Sequence, residues 1–251
     1  MSEHKTTALV SGASSGLGAE YCRQLAGRCQ VIIAVGRRLE ALQALDQELR
    51  GQVELHPVQA DLATVEGVAR AIEALRQQGP VDYLVNNAGY ATTGRFETNE
   101  IDSQLGMVGV HIDATLSLCR AAIPFMRELG GGTIINVSSV AAFNPGRELA
   151  VYGATKAFLN FYSLSLQAEL EGSGIRVQCL CPGYIHTGFH STTHLEGFDK
   201  DRIPANMWME APEVVAASLA ALDSGRVLVV PGEVNLELAR SGAQRVAQAL
   251  E

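Results

Sequence analysis

Tyr152 and Lys156 stand four residues apart in the stretch VYGATKAF (151–158), a spacing that puts them on one face of a helix. A phenol with its ordinary pKa of about 10 is a poor proton donor or acceptor at neutral pH. An ammonium beside it stabilises phenolate and makes the hydroxyl usable for general acid–base chemistry. A half-buried helix tyrosine with a satisfied hydroxyl is the plain alternative for Tyr152 taken alone. A second candidate group is SGASSGLG (11–18), in which Gly12, Gly16 and Gly18 follow an apolar run and open an amphipathic one. Glycines so placed allow a tight turn, close backbone approach and helix N-terminal amides aimed at a pyrophosphate. They also punctuate ordinary strand-to-helix turns.

A dinucleotide reading makes a demand on the next strand, about 20 residues on, where an acid reads an unmodified ribose and an arginine a 2′-phosphate. The sequence there is AVGRRLEAL, with Gly36 in the acid's place and Arg37 and Arg38 after it. A missing carboxylate removes a repulsion for phosphate, and a guanidinium offers it a bidentate partner. NADP(H) is therefore expected over NAD(H), with Arg37 the stronger candidate of the pair. Arginines early in a helix are also ordinary surface residues.

These groups need elements to hold them. Apolar, β-branched runs at 7–12, 30–35, 52–58, 81–87, 132–139, 175–182 and 226–232 alternate with helical patterns at 16–27, 38–50, 64–77, roughly 101–129, 152–171 and 212–224. Runs apolar throughout fit burial on both faces of a parallel sheet. The alternation predicts an α/β, Rossmann-type, doubly wound and mainly parallel seven-stranded sheet with helices on both faces. With no internal repeat and no linker, residues 1–251 read as one domain. The segment 188–211 lacks periodicity and carries Phe189, Phe198, Met207, Trp208 and Met209; such a segment is expected to act as a substrate loop.

A net charge of −8 argues against nucleic acid as a partner, and no run of residues is apolar enough for a membrane span or a signal peptide. The five cysteines form no CxxC pair, which fits a reducing, cytoplasmic setting better than a disulfide framework. His186, His190 and His194 recur every four residues, yet Gly188 and two threonines interrupt them and no acid supplies a ligand. No metal is expected.

With these pieces placed, the sequence resembles the short-chain dehydrogenase/reductase family over nearly its whole length. The resemblance rests, in order, on GASSGLG, VNNAG (85–89), NVSSVAA (136–142), YGATK (152–156) and PGYIHT (182–187). It implies that Tyr152 passes the proton and that Lys156 lowers the phenol pKa and bonds the nicotinamide ribose. Ser139, thirteen residues before Tyr152, orients the substrate oxygen, with Ser138 the lesser candidate. For the cofactor it implies Gly12, Ser14, Ser15, Gly16, Leu17 and Gly18 at the phosphates, and Asp61 and Leu62 on the adenine side. Asn86, Asn87, Ala88 and Gly89 close the fourth strand, and Pro182, Gly183, Ile185 and Thr187 meet the carboxamide side.

One departure stands out: where the family has an asparagine holding a relay water, this chain has His111, 28 residues before Ser139. Histidine can donate from one ring nitrogen and accept at the other, keeping a relay and adding an ionisation near neutral pH; alternatively, His111 is only a packing residue. The resulting expectation is an NADP(H)-dependent oxidoreductase interconverting a carbonyl and a secondary alcohol. The substrate would be an apolar, medium-sized molecule, met by aromatics that include Phe143, and the protein a homodimer or homotetramer built from helices 101–129 and 152–171. A catalytically reduced dinucleotide-binding regulatory protein and an epimerase-type member without net redox are the alternatives.

Overall fold

Side chains alternate across a strand with period two, and β1 (Thr7–Ser11) uses both faces. Ala8 and Val10 enter one apolar layer and Leu9 the opposite one. β2 (Val31–Gly36) repeats this, with Ile32 and Ala34 on the first side and Ile33 and Val35 on the second. Two-sided burial is what an all-parallel sheet with helices on both faces demands. In the structure, a computed structural model, residues 4–187 and 203–250 are described.

The remaining strands of the main sheet are β3 (Glu54–Gln59), β4 (Tyr83–Asn86), β5 (Gly132–Val137), β6 (Ile175–Leu180) and β9 (Leu228–Val229). Their order is β3-β2-β1-β4-β5-β6-β9, and every ladder is parallel. Pro57 falls on β3, at the sheet edge, where a residue without an N–H is tolerated. The first layer packs α1 (Gly16–Leu25), α2 (Leu39–Leu49) and α7 (Ala211–Ala220) on the sheet through Tyr21, Leu25, Leu42, Val214 and Val215. The second packs α3 (Val65–Gln78), α5 (Ala114–Glu128) and α6 (Ala150–Glu169) through Leu75, Leu118, Met126 and Leu166. The doubly wound, seven-stranded fold expected from the sequence is therefore present.

Three features differ from the sequence expectation. The helix expected over 101–129 is α4 (Ile101–Val108), a π turn at Gly109–Asp113 and α5. A helix not anticipated, α8 (Glu233–Gln248), follows β9, which is only two residues long. A small parallel ladder joins β7 (Tyr184–His186) to β8 (Trp208–Glu210), pairing Tyr184 with Trp208 and His186 with Glu210. Of the expected substrate loop, only 203–211 lies among the described residues, so Phe189, Phe198, His190 and His194 fall outside them.

The candidate active site

The sheet order reverses between β1 and β4, and ligands of such sheets bind at the carboxyl ends of the strands beside that switch. The glycine turn lies there. Gly12 and Gly16 adopt φ of 69° and 55°, the left-handed region that favours glycine. Gly18 has no space for a side chain, because its Cβ would stand 2.2 Å from the Gly12 carbonyl oxygen. Asn87 braces the turn across the switch: its Nδ2 donates to Ser11 O at 2.9 Å, while Asn87 N and Ala88 N donate to Ser11 Oγ. α1 opens with no side-chain cap and no acid in its first turn, which leaves the amides around Ser15, Gly16 and Leu17 for an anion. Thr187 lies over this turn, since a Cβ at Gly16 would sit 3.5 Å from its Cγ2. This cradle fits a dinucleotide pyrophosphate.

On the adenosine side Gly36 is buried, and a Cβ there would meet that of Ser14 at 3.2 Å. Arg37 and Arg38 are exposed at the end of β2. Arg38 is tied to the turn by donating to Ser14 O at 3.1 Å, which ranks it above Arg37 as the residue fixed beside the ribose end. Asp61 Oδ1 accepts from Ala63 N at 3.0 Å, shaping the turn after β3, and the Leu62 side chain enters the core. Several of the expected residues have structural partners. Asn86 is buried and donates to Asn136 Oδ1 and Cys119 Sγ, away from the cleft. Gly183 is small because the Asn235 carboxamide of α8 fills the space of its missing side chain. Ile185 packs into the core, and Pro182 gives its carbonyl to Val140 N.

The chemistry-bearing residues come from β5 and α6. Ser139 follows β5, its Oγ accepts from Ala141 N at 3.1 Å, and its hydroxyl is close enough to the Tyr152 phenol to lower the phenol's pKa. Ser138 is buried and donates to Lys156 O at 2.9 Å, so it braces α6 and does not face the cleft. Tyr152 does not show the lowered pKa expected of it. Burial pushes the phenol up to about 12, against the pull of the Ser139 hydrogen bond, with nearby Tyr184 raising it further. Lys156 is itself buried and lowered to about 8 by desolvation. Its Nζ donates to Val137 O at 2.9 Å and lies 5.8 Å from the centre of the Tyr152 ring. The amine turns into the backbone of β5, and burial decides the direction of the phenol's shift.

His111 lies in the π turn, a rare geometry that recurs at functional sites. It is 1% exposed, with Nδ1 2.8 Å from Thr155 Oγ1 and its ring edge-on to Tyr152 at 5.9 Å. Burial first, and Lys156 second, hold its pKa well below the usual histidine range, so the expected ionisation near neutral pH is absent. Gly89 answers to this histidine: a Cβ there would stand 2.4 Å from His111 Nε2. Phe143, expected at the substrate, packs against Leu159, Cys179 and Cys181. The sequence reading missed Thr155 and Tyr184, although both lie inside the motifs it used. At the outer lip Trp208 stacks on His186 at 4.8 Å and meets Tyr184 at 5.4 Å.

The chain is similar to known proteins. Residues 6–196 match the family model of short chain dehydrogenases. An uncharacterized oxidoreductase of Myxococcus xanthus is 35% identical over 190 residues, 75% of either chain. Among solved structures, a short-chain dehydrogenase from Sphingobium yanoikuyae in complex with NADPH superposes with a TM-score of 0.84 at 32% identity, covering 97% of this chain and 95% of that one. A bulky-bulky ketone specific alcohol dehydrogenase from Comamonas testosteroni gives 0.80 at 29%, covering 98% and 94%. A glycine turn at the switch point, a serine and a tyrosine at the carboxyl edge of the sheet, and these likenesses make the chain a member of the short-chain dehydrogenase/reductase family, an NAD(P)-dependent oxidoreductase.

Proposed function

We propose that this protein is an NADP(H)-dependent oxidoreductase that interconverts a ketone or aldehyde and its alcohol. The observation that carries the reading is the pairing of Ser139, at the end of β5, with the Tyr152 phenol of α6, on the same carboxyl edge of the sheet as the glycine turn. Ser139 donates to the substrate oxygen and holds it against the phenol. Tyr152, protonated at neutral pH because burial holds its proton, gives that proton to the oxygen as a carbonyl is reduced. The family likeness assigns Lys156 to the nicotinamide ribose, for which its amine must leave Val137 O. The dinucleotide, when bound, supplies or accepts the hydride. The chain's own contribution is orientation of the carbonyl between serine and tyrosine, together with a matched proton.

NADP(H) is favoured by three supports: the buried Gly36 where an acid would repel phosphate, the exposed Arg37, and Arg38 held at Ser14. The NADPH in the Sphingobium relative agrees with it. Tyr184, His186 and Trp208 offer an aromatic lip suited to a bulky apolar substrate, in keeping with the ketones named for the Comamonas relative. The outer faces of α4 and α6 expose Ile101, Leu105, Phe161 and Leu164, a surface for a homo-oligomer. The test is coenzyme oxidation, followed by absorbance, over a panel of bulky ketones and aldehydes. The expected result is turnover with NADPH at least about tenfold more efficient than with NADH, one good phosphate contact being worth over 1 kcal/mol. Tyr152→Phe should bind NADPH as the parent does and lose about 100-fold or more in kcat. Carbonyl reduction by Tyr152→Phe at the parental rate would remove the mechanism.

A further inference from the structure

His111 Nε2 has no hydrogen-bond partner among the described residues, although the ring is 1% exposed. The other nitrogen, Nδ1, is 2.8 Å from Thr155 Oγ1, and Thr155 Oγ1 donates to Tyr152 O at 2.8 Å, one turn back on α6. A hydroxyl has a single proton, so two arrangements are open. In the first, Nδ1–H donates to Thr155 and the Thr155 proton goes to the Tyr152 carbonyl; both bonds form, and Nε2 is a bare acceptor. In the second, Thr155 donates to Nδ1, one bond is forfeited, and a buried N–H is left at Nε2. Orphaned buried N–H groups are rarer than under-used acceptors, so the first arrangement wins on both counts. Protonating the ring would add a charge to a buried site already facing the Lys156 ammonium. The aromatic rings beside it among the described residues, Tyr90 and Tyr152, are uncharged.

Resting on the functional reading above, we infer that Thr155 and His111 form a hydrogen-bond pair of fixed direction that positions Tyr152, with Thr155 holding His111 as its neutral Nδ1–H tautomer so that Nε2 is left as a buried acceptor beneath Gly89. The direction has a consequence. The chain from Nδ1–H through the Thr155 hydroxyl ends on the Tyr152 carbonyl, an amide oxygen that passes no proton on. The ring is therefore a terminus for hydrogen bonds and conducts no protons between its two nitrogens. Nε2 lies directly under Gly89, an exposed residue whose missing side chain is what admits the ring.

Thr155 and His111 are positioning residues, and their test reads the tautomer directly. In the full-length protein with 15N-labelled histidine, side-chain 1H–15N correlation spectra at neutral pH are recorded, and His111 is assigned by its loss in His111→Asn. The expected pattern is a protonated Nδ1 and an unprotonated, pyridine-like Nε2. Thr155→Ser keeps this pattern and parental kcat/KM. Thr155→Val, isosteric but without a hydroxyl, loses the fixed tautomer and about tenfold in kcat/KM with NADPH and a ketone, the value of one hydrogen bond of about 1 kcal/mol or more. A parent spectrum with a proton on Nε2, or on both nitrogens, overturns the inference whatever becomes of the variants. So does a Thr155→Val protein that loses the tautomer and keeps full kcat/KM. Should the tautomer behave as expected while the parent reduces no carbonyl, the pair stands and the functional reading falls.

Discussion

A lysine that is nearly all buried, with a single backbone carbonyl as its recorded hydrogen-bond partner, is an expensive residue, and Lys156 is one. Its amine is lowered from the ordinary 10.5 to about 8 by desolvation. At neutral pH the ammonium is therefore disfavoured in the folded protein relative to the unfolded chain by roughly 3 kcal/mol. The sign follows from proton counting: between about 8 and 10.5 the unfolded chain holds the proton and the folded protein does not, so stability rises with pH there. Lys156→Met, which keeps the stem and removes the charge, should be more stable than the parent by about 2 kcal/mol at pH 7, after loss of the bond to Val137 O. The gap should close as pH rises through that window. Urea unfolding of both proteins at pH 7 and pH 10 measures it; a gap that stays constant, or favours the parent at pH 7, would show that the amine is not desolvated. Buried Cys22, Cys29 and Cys119, each pushed up to about 12, titrate equally in both proteins and cancel in the difference. The identities and spacing of Ser139, Tyr152 and Lys156 were readable from the sequence. The direction of the phenol's shift was not, because spacing shows which charge is near and says nothing of how much water is removed.

At the scale of elements, the turn between β1 and α1 holds by contacts between backbones, which makes a sharp prediction possible. The Cβ of Gly18→Ala would meet the Asn87 side chain at 2.6 Å and, closer still, the backbone Gly12 O at 2.2 Å, which cannot swing aside as a side chain can. The turn must open, costing about 1–3 kcal/mol of stability and spoiling the amide geometry at the pyrophosphate. NADPH fluorescence titration should show affinity weakened by tenfold or more, with the far-ultraviolet circular dichroism of a folded protein; unchanged affinity would place the cofactor elsewhere. This strand–turn–helix unit was legible because glycine spacing and apolar runs state it locally. α8 was not, and the reason is physical. Its buried residues are Asn235, Ala239 and Gly242, helically spaced but polar or small, so no apolar stripe marks the face that packs on Gly183 and Asn144. The π turn was equally hidden, since Gly109–Asp113 holds no proline and its hydropathy continues that of the flanking helices. The β7–β8 ladder joins segments more than 20 residues apart, a pairing no local pattern encodes.

For the whole molecule, the two faces of α6 do opposite things. The inner face carries Thr155, Lys156, Leu159, Asn160 and Ser163, all buried, while Phe161 and Leu164 are 75% and 46% exposed on the outer one. α4, which packs beside α6, adds Ile101 and Leu105, both more than half exposed. Isolated exposed apolar residues are unremarkable, but four on adjoining helices mark an interaction surface. A second copy related by a twofold axis would bring α6 against α6, giving each phenylalanine a self-complementary partner surface. Burying one such ring is worth about 1.5–3 kcal/mol. Each copy carries a net charge of −8, so electrostatics oppose assembly and the apolar surface must supply it. Association should thus tighten as salt screens the repulsion. Phe161→Glu adds a charge at the centre of the surface and no strain within the subunit, and light scattering on eluting fractions should report a shift from dimer or tetramer toward monomer. Because the inner face of the same helix holds Lys156 and the Thr155 hydroxyl, dissociation should also lower carbonyl reduction, with NADPH affinity at the distant glycine turn nearly unchanged. A Phe161→Glu protein of parental mass would assign assembly to another surface, and one that is monomeric yet fully active would show that α6 holds its catalytic face without a partner.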